Sequence, residues 1–495
     1  MTNIRERGDR MYEQLKEDAA KGVGWAFLSS TSVRVLQVIT TLTLAKLLMP
    51  ADFGVFALAT LIINAVTIFR DIGLAQFLIY QRENVPKAAN TAFILSLISS
   101  VFVGGLLYVS ATVLGKVFST PTIVNPVRVM SIALALSAAA NVHFALLDKQ
   151  LKFRLRAIPE MAGAFAYAVI SIVLAVIGYR AWSLVIGWVV MQIVSTIVVW
   201  FVSGWRPKIE FSLDDARVIV AYGKHLVVAS LAAFAFFQID NASIGKWLGV
   251  TALGFYSMAF TVCNMPATNL SHVVNRVMFP TYSKLRDDLP EMGRVYIRTV
   301  RYISMCAFPA AIAIFILSGP IIRVFYGEKW VPAIPLFKVL AFYGLMRSVG
   351  CTPSAVFMST GAPGLVRRVS LLQLIIAVPL VYPVARAYGA LGVAVLFTIA
   401  YMVGMLYSLS KVQSVLSLGV RSYTEAMGLP LGATAIAGVV CWVVSRGIGL
   451  SWMSIAASGV IFSSLYLMSV HLLDRDAYKE IMRLFRKPKR STEIV

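Results

Sequence analysis

Two arginines lie deep inside apolar stretches of the sequence, where a charged side chain is costly. Arg34 falls within the apolar residues 23–48, and Arg347 lies near the middle of the apolar residues 332–360. Ionisable residues in such segments usually face a wet cavity and mark a binding site. A guanidinium holds a phosphate group well, because its planar fork can donate two parallel hydrogen bonds. The two arginines therefore predict a site for an anionic ligand, with a structural charge pair or backbone clamp as the alternative.

Further basic candidates lie nearer the ends of their apolar stretches: Arg70, Arg276, Arg301 and Lys338. Arg276 and Arg301, together with Arg298, lie within about two helical turns of one membrane surface and would form a basic entrance to the same site. Long basic side chains near a membrane surface also extend to the headgroups without any binding role. Both interpretations stay open for these residues.

Acidic residues are rare inside the apolar stretches. Asp240 lies well inside one of them, between Gln238 and Asn241. Its carboxylate predicts either pairing with a cavity arginine or the binding of a coupling ion, H⁺ or Na⁺. Asp71 follows Arg70 directly and has the same two possible roles. Because adjacent residues do not share a helix face, we expect Arg70 and Asp71 to have different partners.

The apolar segments that carry these candidates predict membrane-spanning helices. The chain has 495 residues, of which 59% are hydrophobic and 14% charged, and its mean hydropathy is +0.78. A bilayer core needs about 20 apolar residues per helix, and a helix satisfies all backbone polar groups within the segment. The sequence therefore predicts an all-α integral membrane protein with about fourteen transmembrane helices. They lie near residues 23–48, 53–78, 89–114, 123–147, 158–178, 181–202, 222–248, 252–280, 296–319, 332–360, 366–385, 389–410, 425–445 and 450–472.

Prolines inside some of the predicted helices each remove a backbone hydrogen bond and predict a bend. They are Pro266, Pro309, Pro353 and Pro379. The segments 252–280 and 332–360 are also longer than a straight span requires, so we expect both to be tilted or bent.

Basic residues in the loops predict the orientation of the helices. Sixteen lysines and arginines lie in or next to the loops after even-numbered helices, and seven lie in or next to the loops after odd-numbered helices. Because basic loops stay in the cytoplasm, an even helix count with both termini cytoplasmic satisfies the pattern. The same bias explains the net charge of +22 without nucleic acid as a partner. The basic C-terminal tail is expected to contact anionic membrane lipids.

The chain contains an internal repeat at an offset of 200 residues. Residues 45–57, AKLLMPADFGVFA, align with residues 245–257, GKWLGVTALGFYS, so that a lysine, a leucine and a glycine coincide. Six predicted helices separate the copies, and an even number preserves orientation, which predicts two parallel six-helix bundles related by a pseudo-two-fold axis, plus two C-terminal helices. The predicted divisions are an N-terminal segment (1–22), helices 1–6 (23–205), helices 7–12 (206–412), helices 13 and 14 (413–472) and a basic tail (473–495).

The sequence disfavours an enzyme, a metal site and a bound cofactor. The four cysteines lie far apart inside apolar segments, which is typical of small buried residues. No Walker A, HExxH or CxxC pattern occurs. The predicted outer loops are short, and their carboxylates, Asp52 and Glu328, belong to different halves, whereas glycosyl transfer needs paired acids. A membrane-embedded polymerase or glycosyltransferase is therefore a less favoured alternative.

The repeated turn and the residues after it resemble a known family. Residues 47–57, LLMPADFGVFA, and 69–74, FRDIGL, are similar to the opening of the polysaccharide transporter family, which contains the Wzx-type O-antigen and exopolysaccharide flippases. Residues 330–336, WVPAIPL, and 361–364, GAPG, are similar to the same family. This family belongs to the multidrug/oligosaccharidyl-lipid/polysaccharide (MOP) exporter superfamily. The resemblance covers about residues 25–410.

The resemblance implies a substrate, a mechanism and a location. The substrate would be an oligosaccharide repeat unit on undecaprenyl pyrophosphate, moved across the bacterial inner membrane by alternating access for exopolysaccharide, capsule or O-antigen export. Arg34 and Arg347 would bind the pyrophosphate. Helices 13 and 14, which are additional to a twelve-helix core as in the lipid II flippases, would border a groove for the polyprenyl tail. Polysaccharide synthesis and export proteins would be further partners.

Two alternatives come from the same superfamily. A lipid II flippase would share the helix count and the cationic interior, but the LMPADFG turn favours the polysaccharide branch. A multidrug exporter would need carboxylates in its cavity to hold cations, whereas the membrane-embedded charges of this chain are mostly basic.

Overall fold

A computed structural model describes residues 32–71, 73–81, 84–447 and 451–473 of the chain. Nearly all of these residues are helical, and no strand occurs among them. Within the same ranges, ten segments are long and apolar enough to cross a membrane. The chain is therefore an all-helical integral membrane protein, while the total of fourteen helices stays a prediction. The predicted N-terminal segment 1–22 and the tail from residue 474 lie outside the described residues.

The first compact unit comprises the described residues up to Gly254. Helix α6 packs against α7, and α5 packs against both α4 and α7. The short α3 packs on α4 and α5 through an apolar cluster that includes Phe77, Ala92 and Leu146. The helices of this unit are α1 (32–47), α2 (Pro50–Asp71), α3 (Leu74–Tyr80), α4 (Val85–Val117), α5 (Val124–Lys149), α6 (Phe153–Ile177), α7 (Ala181–Ser203) and α8 (Leu213–Trp247).

The second compact unit comprises the described residues from Phe255 onward. Helix α11 packs against α12 and α15, α12 packs against α14, and α15 packs against α16. The predicted divisions at residues 205–206 and 412–413 stay predictions. The helices are α9 (Gly249–Val273, which begins in the first unit), α10 (Phe279–Lys284), α11 (Leu289–Ile321), α12 (Ile334–Gly350), α13 (Thr352–Ser359), α14 (Pro363–Leu416), α15 (Val420–Gly447) and α16 (Trp452–Leu473).

Several predicted spans are interrupted in the structure. The segment 252–280 is interrupted, because α9 gives way to a π-helical turn over Val274–Met278, and its predicted bend stays a prediction. The segment 332–360 is two helices, α12 and α13, and Pro353 lies in the first turn of α13. The interruption agrees with the prediction for this segment, and proline fits the first turn of the new helix because its missing N–H costs no bond there. The predicted break between 385 and 389 is confirmed at Gly389, whose φ of 63° separates two helical parts of α14.

Large apolar side chains cover the outside of many helices. Phe102 is 71% exposed and Phe201 is 78% exposed, and both lie within segments that could cross a membrane. Soluble proteins rarely expose apolar surface on this scale, whereas the outer face of a membrane helix meets lipid chains. The exposed residues thus agree with the hydropathy of the sequence, and the chain is a multi-pass membrane protein.

The two copies of the repeated turn contact each other through their glycines. A Cβ atom placed on Gly54 would overlap the carbonyl oxygen of Val250 and lie 3.0 Å from the backbone nitrogen of Gly254. A Cβ atom placed on Gly254 would overlap the carbonyl oxygen of Pro50 and lie 3.1 Å from the backbone nitrogen of Gly54. The two sets of contacts are equivalent under the offset of 200 residues. The repeat therefore gives α2 and the start of α9 matching surfaces that only glycine allows.

Replacing Gly54 with alanine should push α2 away from the first turn of α9 and destabilise the protein. Overpacking a close contact typically costs about 1–3 kcal/mol, and here the obstacle is backbone, which cannot rotate away. The expected result is a lower melting temperature of the detergent-purified protein. Gly105→Ala is the matched control, since a Cβ atom there would meet nothing within 4 Å. Equal melting temperatures for the two variants would contradict the close packing at Gly54.

Candidate functional site

Arg347 lies in the last turn of α12, near the middle of the apolar segment Glu328–Ser359, and is half-buried. Its Nη1 atom donates a hydrogen bond to the Oδ1 atom of Asn264 on α9, over 3.1 Å. The two helices approach closely here, because a Cβ atom on Gly344 would overlap the carbonyl oxygen of Cys263. An amide oxygen orients a guanidinium without neutralising its charge. This environment suits an arginine that binds an anionic ligand.

Arg34 lies on α1 in the first unit and is half-buried. Among the described residues, no hydrogen bond or ion pair involves its guanidinium. A cation in a membrane helix needs an anion, water or headgroups as its partner. Arg34 is therefore suited to an external anion, and its joint role with Arg347 stays a prediction.

Three arginines line a cavity in the second unit at the beginning of α11. Arg294, Arg298 and Arg301 recur at intervals of four and three residues, which places them on one face of the helix. The cavity has a volume of about 690 Å³. Its other wall is formed by the turn between α14 and α15, which includes Ser417, and by the first turns of α15, which include Glu425. Both walls belong to segments that the basic loops predict to be cytoplasmic.

The cavity is surrounded by both arginines and carboxylates, and several of them are paired. Arg298 donates from Nε to the Tyr302 hydroxyl over 2.7 Å, and Arg294 forms an ion pair with Glu291. Arg421 binds Glu425 over 2.8 Å and thereby offsets the carboxylate of the lining. Among the described lining residues, three arginines stand against one glutamate, so the formal charge of the lining is positive. Convergent guanidinium groups in a pocket of several hundred Å³ fit a ligand that carries phosphate.

The sequence analysis singled out Arg298 and Arg301 but missed Arg294. It placed the start of the helix at residue 296, whereas α11 begins at Leu289. The missed signal is the helix cap: the Asp288 side chain accepts a hydrogen bond from the Glu291 N–H over 3.0 Å. An acidic cap three residues before a glutamate is typical of a helix N-terminus.

Two other predicted basic residues lie elsewhere. Lys338 is exposed on α12, and its Nζ atom lies 5.5 Å from the centre of the Phe315 ring. The Arg276 side chain lies outside the described residues. The predicted pyrophosphate-binding roles of both residues stay predictions.

Arg70, near the end of α2, is 6% exposed and bound by neighbouring groups. Its Nε atom donates to Asp71 Oδ1 over 2.7 Å, and its Nη1 atom donates to the Ser137 hydroxyl over 2.8 Å. Asp71 Oδ1 also accepts from Asn141 Nδ2 over 3.2 Å. The expectation that Arg70 and Asp71 have different partners was wrong, because they pair with each other. Asp71 ends α2 just before Gly73, whose φ of 66° breaks the helix, so the rule for facing residues no longer applies.

Asp240 on α8 is 3% exposed. Its Oδ1 atom accepts hydrogen bonds from the backbone N–H of Asn241 over 2.7 Å and from Asn241 Nδ2 over 3.2 Å. Asn241 Nδ2 also donates to Gln238 Oε1 over 3.2 Å. The three polar residues that stand out in the sequence therefore form one hydrogen-bonded group. A buried carboxylate in such a group is suited to charge pairing or to an ion, and the choice stays a prediction.

The family of the chain follows from its sequence as a whole. Residues 43–335 match the family described as polysaccharide biosynthesis protein. This match covers more than half of the chain, and the chain belongs to that family. The resemblance of the repeated turn to a polysaccharide family is thereby confirmed.

Curated relatives match along most of the chain. The lipopolysaccharide biosynthesis protein WzxC of Escherichia coli (strain K12) is 22% identical over 419 residues, which cover 84% of this chain and 85% of WzxC. The succinoglycan biosynthesis transport protein ExoT of Rhizobium meliloti (strain 1021) is 26% identical over 338 residues, 68% of each chain. The teichuronic acid biosynthesis protein TuaB of Bacillus subtilis (strain 168) is 24% identical over 431 residues, which cover 86% of this chain and 88% of TuaB.

Solved structures share the fold. The lipid II flippase MurJ in an inward closed conformation aligns with a TM-score of 0.71 at 15% identity, over 91% of this chain and 99% of MurJ. An inward-facing multidrug resistance MATE family transporter of the MOP superfamily aligns with a TM-score of 0.61 at 16% identity, over 77% of this chain and 94% of the transporter. The fold is therefore that of a MOP-type transporter.

Replacing Asp71 with asparagine should destabilise the first unit. The variant leaves the buried Arg70 guanidinium without its carboxylate, and an uncompensated buried charge is costly. The expected result is a lower melting temperature of the purified protein. Asp287→Asn, at a 92% exposed carboxylate, is the matched control. A variant that melts like the control would show that the pair contributes nothing measurable.

Proposed function

We propose that the chain is a flippase that moves undecaprenyl-pyrophosphate-linked oligosaccharide repeat units across the bacterial inner membrane. The glycan is carried without chemical change, for the export of exopolysaccharide, capsule or O-antigen. The observation that carries the proposal is the arginine-lined cavity of the second unit, within a membrane transporter fold. The names of WzxC, ExoT and TuaB, all linked to cell-surface polysaccharides, support the substrate class.

The pyrophosphate is the part of such a substrate that most needs protein groups. A lipid tail and apolar helix surfaces tolerate hydrocarbon, but a phosphate group moved out of water loses its solvation unless cations replace it. Arg294, Arg298 and Arg301 lie at the predicted cytoplasmic end of α11, where the headgroup of a lipid-linked sugar lies before transport. These arginines would receive the pyrophosphate.

Residues deeper in the helices would hold the pyrophosphate during transport. Arg347, oriented by Asn264, and Arg34, which has no described protein partner, would supply positive charge inside the predicted spans 332–360 and 23–48. Alternating access then exposes the bound headgroup first to the cytoplasm and later to the periplasm. Asp240, in its buried polar group, is the proposed site for a coupling H⁺ or Na⁺.

The first test is an export assay in a bacterial host that lacks its own flippases, with surface polysaccharide as the readout. The wild-type chain should restore polysaccharide, and Arg34→Ala and Arg347→Ala should abolish it at equal membrane levels, because the deep cation is lost. Arg347→Lys should retain part of the activity, since the charge survives but the two-pronged geometry does not.

Arg386→Ala is the matched control for this assay, because Arg386 is exposed on α14 and stacks near Tyr382. Normal export by Arg34→Ala or Arg347→Ala would remove that residue from the site. A well-expressed wild type that exports no polysaccharide but restores lipid II transport would replace the proposed substrate with lipid II.

The second test measures binding of undecaprenyl pyrophosphate to the protein in lipid nanodiscs. Arg298→Ala combined with Arg301→Ala should weaken binding about 10-fold or more, because each charge-assisted hydrogen bond contributes about 1.5–3 kcal/mol. Arg286→Ala, at a loop arginine outside the cavity, should leave the Kd unchanged. Equal affinities for the double variant and the control would exclude the cavity as the pyrophosphate site.

A further inference from the structure

A second polar cavity lies within the first unit and differs in chemistry from the arginine-lined one. It has a volume of about 550 Å³ and is lined by residues of α1, α3, α5, α6 and α7 and by the last residue of α2. Gln37, Gln76 and Gln192 contribute side-chain amides, and Ser195 contributes a hydroxyl. Polar groups in this number are unusual between membrane helices, where each must be satisfied or must contact water or a ligand.

The cavity reaches far into the membrane from its predicted cytoplasmic end. Asp148, Arg156 and Glu160 lie around the α5–α6 turn, which the basic loops place in the cytoplasm. Gln192 lies on α7, which ends at Ser203. Eleven residues at 1.5 Å per residue place Gln192 about 16 Å from that end, roughly half of a 30 Å hydrocarbon core.

The charged side chains that line the cavity already form ion pairs and hydrogen bonds with protein groups. Arg156 donates from Nε to Glu160 over 3.1 Å and also pairs with Asp148. Asp71 is held by Arg70 and by Asn141. The lining contains three carboxylates and one guanidinium, and Arg70 pairs with Asp71 from outside the lining. The cavity therefore has a negative balance and repels an additional anion. Pyrophosphate and carboxylated sugars are therefore poor ligands for it.

The glutamine amides of the lining differ from the charged groups in their hydrogen bonding. No hydrogen bond to another group of the described residues involves the side-chain amides of Gln37, Gln76 and Gln192. Each amide offers two donors and one acceptor, which matches a hydroxyl group that both donates and accepts. Phe144 lines the same cavity and supplies an apolar ring beside them. A volume of 550 Å³ is within the range of small-molecule sites, about 300–1,000 Å³.

We propose that this cavity binds an uncharged, hydroxyl-rich sugar residue of the lipid-linked oligosaccharide and selects against sugars that carry a carboxylate. The proposal rests on the proposed flippase function. It assigns glycan selectivity to the first unit and leaves recognition of the pyrophosphate to the arginines.

The experiment compares three lipids bound to the full-length protein in nanodiscs, with the Kd of each measured by native mass spectrometry. They are undecaprenyl pyrophosphate, the same lipid with one glucose, and the same lipid with one glucuronic acid. The wild type should bind the glucosyl lipid more tightly than the bare lipid, by about 3- to 10-fold for one or two net hydrogen bonds. The glucuronyl lipid should show no such gain.

Gln76→Ala combined with Gln192→Ala should remove the gain for the glucosyl lipid and leave the Kd of the bare lipid unchanged. Gln150→Ala is the matched control, because Gln150 is exposed just beyond α5 and does not line the cavity. A gain that persists in the double variant, or an equal loss for both lipids, would overturn the sugar site. A wild type that binds none of the lipids would instead refute the flippase proposal.

Glu160→Gln gives an independent readout that does not depend on the glutamines. Glu160 is exposed at the mouth of the cavity, so the substitution should be tolerated by the fold. Removing its negative charge should improve binding of the glucuronyl lipid relative to the glucosyl lipid. An unchanged ratio of the two Kd values would overturn the proposed selectivity against carboxylated sugars.

Discussion

Hydrocarbon cannot solvate a charge, and every ionisable side chain within the spans must therefore have a protein partner, reach water or bind a ligand. Arg70 satisfies this constraint through Asp71 and Ser137, and it is almost fully buried. Arg34 has no such partner among the described residues. The charge of Arg70 therefore contributes to the fold, whereas we propose that the charge of Arg34 is available to a substrate.

The same constraint explains how the two polar cavities differ. In the second unit, Arg294, Arg298 and Arg301 share one face of α11 and make the formal charge of the described cavity lining positive. In the first unit, Arg156 is paired with Asp148 and Glu160, so that the amides are the groups left to interact. A lipid-linked glycan carries both an anionic linkage and neutral hydroxyls, and the two cavities offer one type of partner for each.

Helix packing depends on small residues and on close backbone contact rather than on a hydrophobic driving force, because the lipid chains are as apolar as the side chains. Gly54 and Gly254 let the two repeated turns meet, and Gly344 lets α12 approach α9 beside Arg347. Gly389 in turn separates the two parts of α14 with a backbone conformation that a larger residue rarely adopts. These glycines determine where helices meet and end, and thereby where the polar residues between them are placed.

Much of the architecture could be predicted from the sequence, because length and hydropathy are local properties of a membrane helix. The all-helical membrane fold, the break near Gly389 and the resemblance of the repeated turn to the polysaccharide family all follow from short stretches of residues. The sequence also identified Arg34, Arg347 and Asp240 as costly charges. Only the tertiary structure decided which charges are compensated and where helices meet. Arg70 and Asp71 are adjacent, but their pair is completed by Ser137 and Asn141, which are distant in sequence. The contact of Gly54 with Gly254 and the place of Arg294 in the cavity wall depend on exact helix ends and on distant neighbours. Partner choice is a non-local property, and the energy of a charge in a membrane depends on its partners.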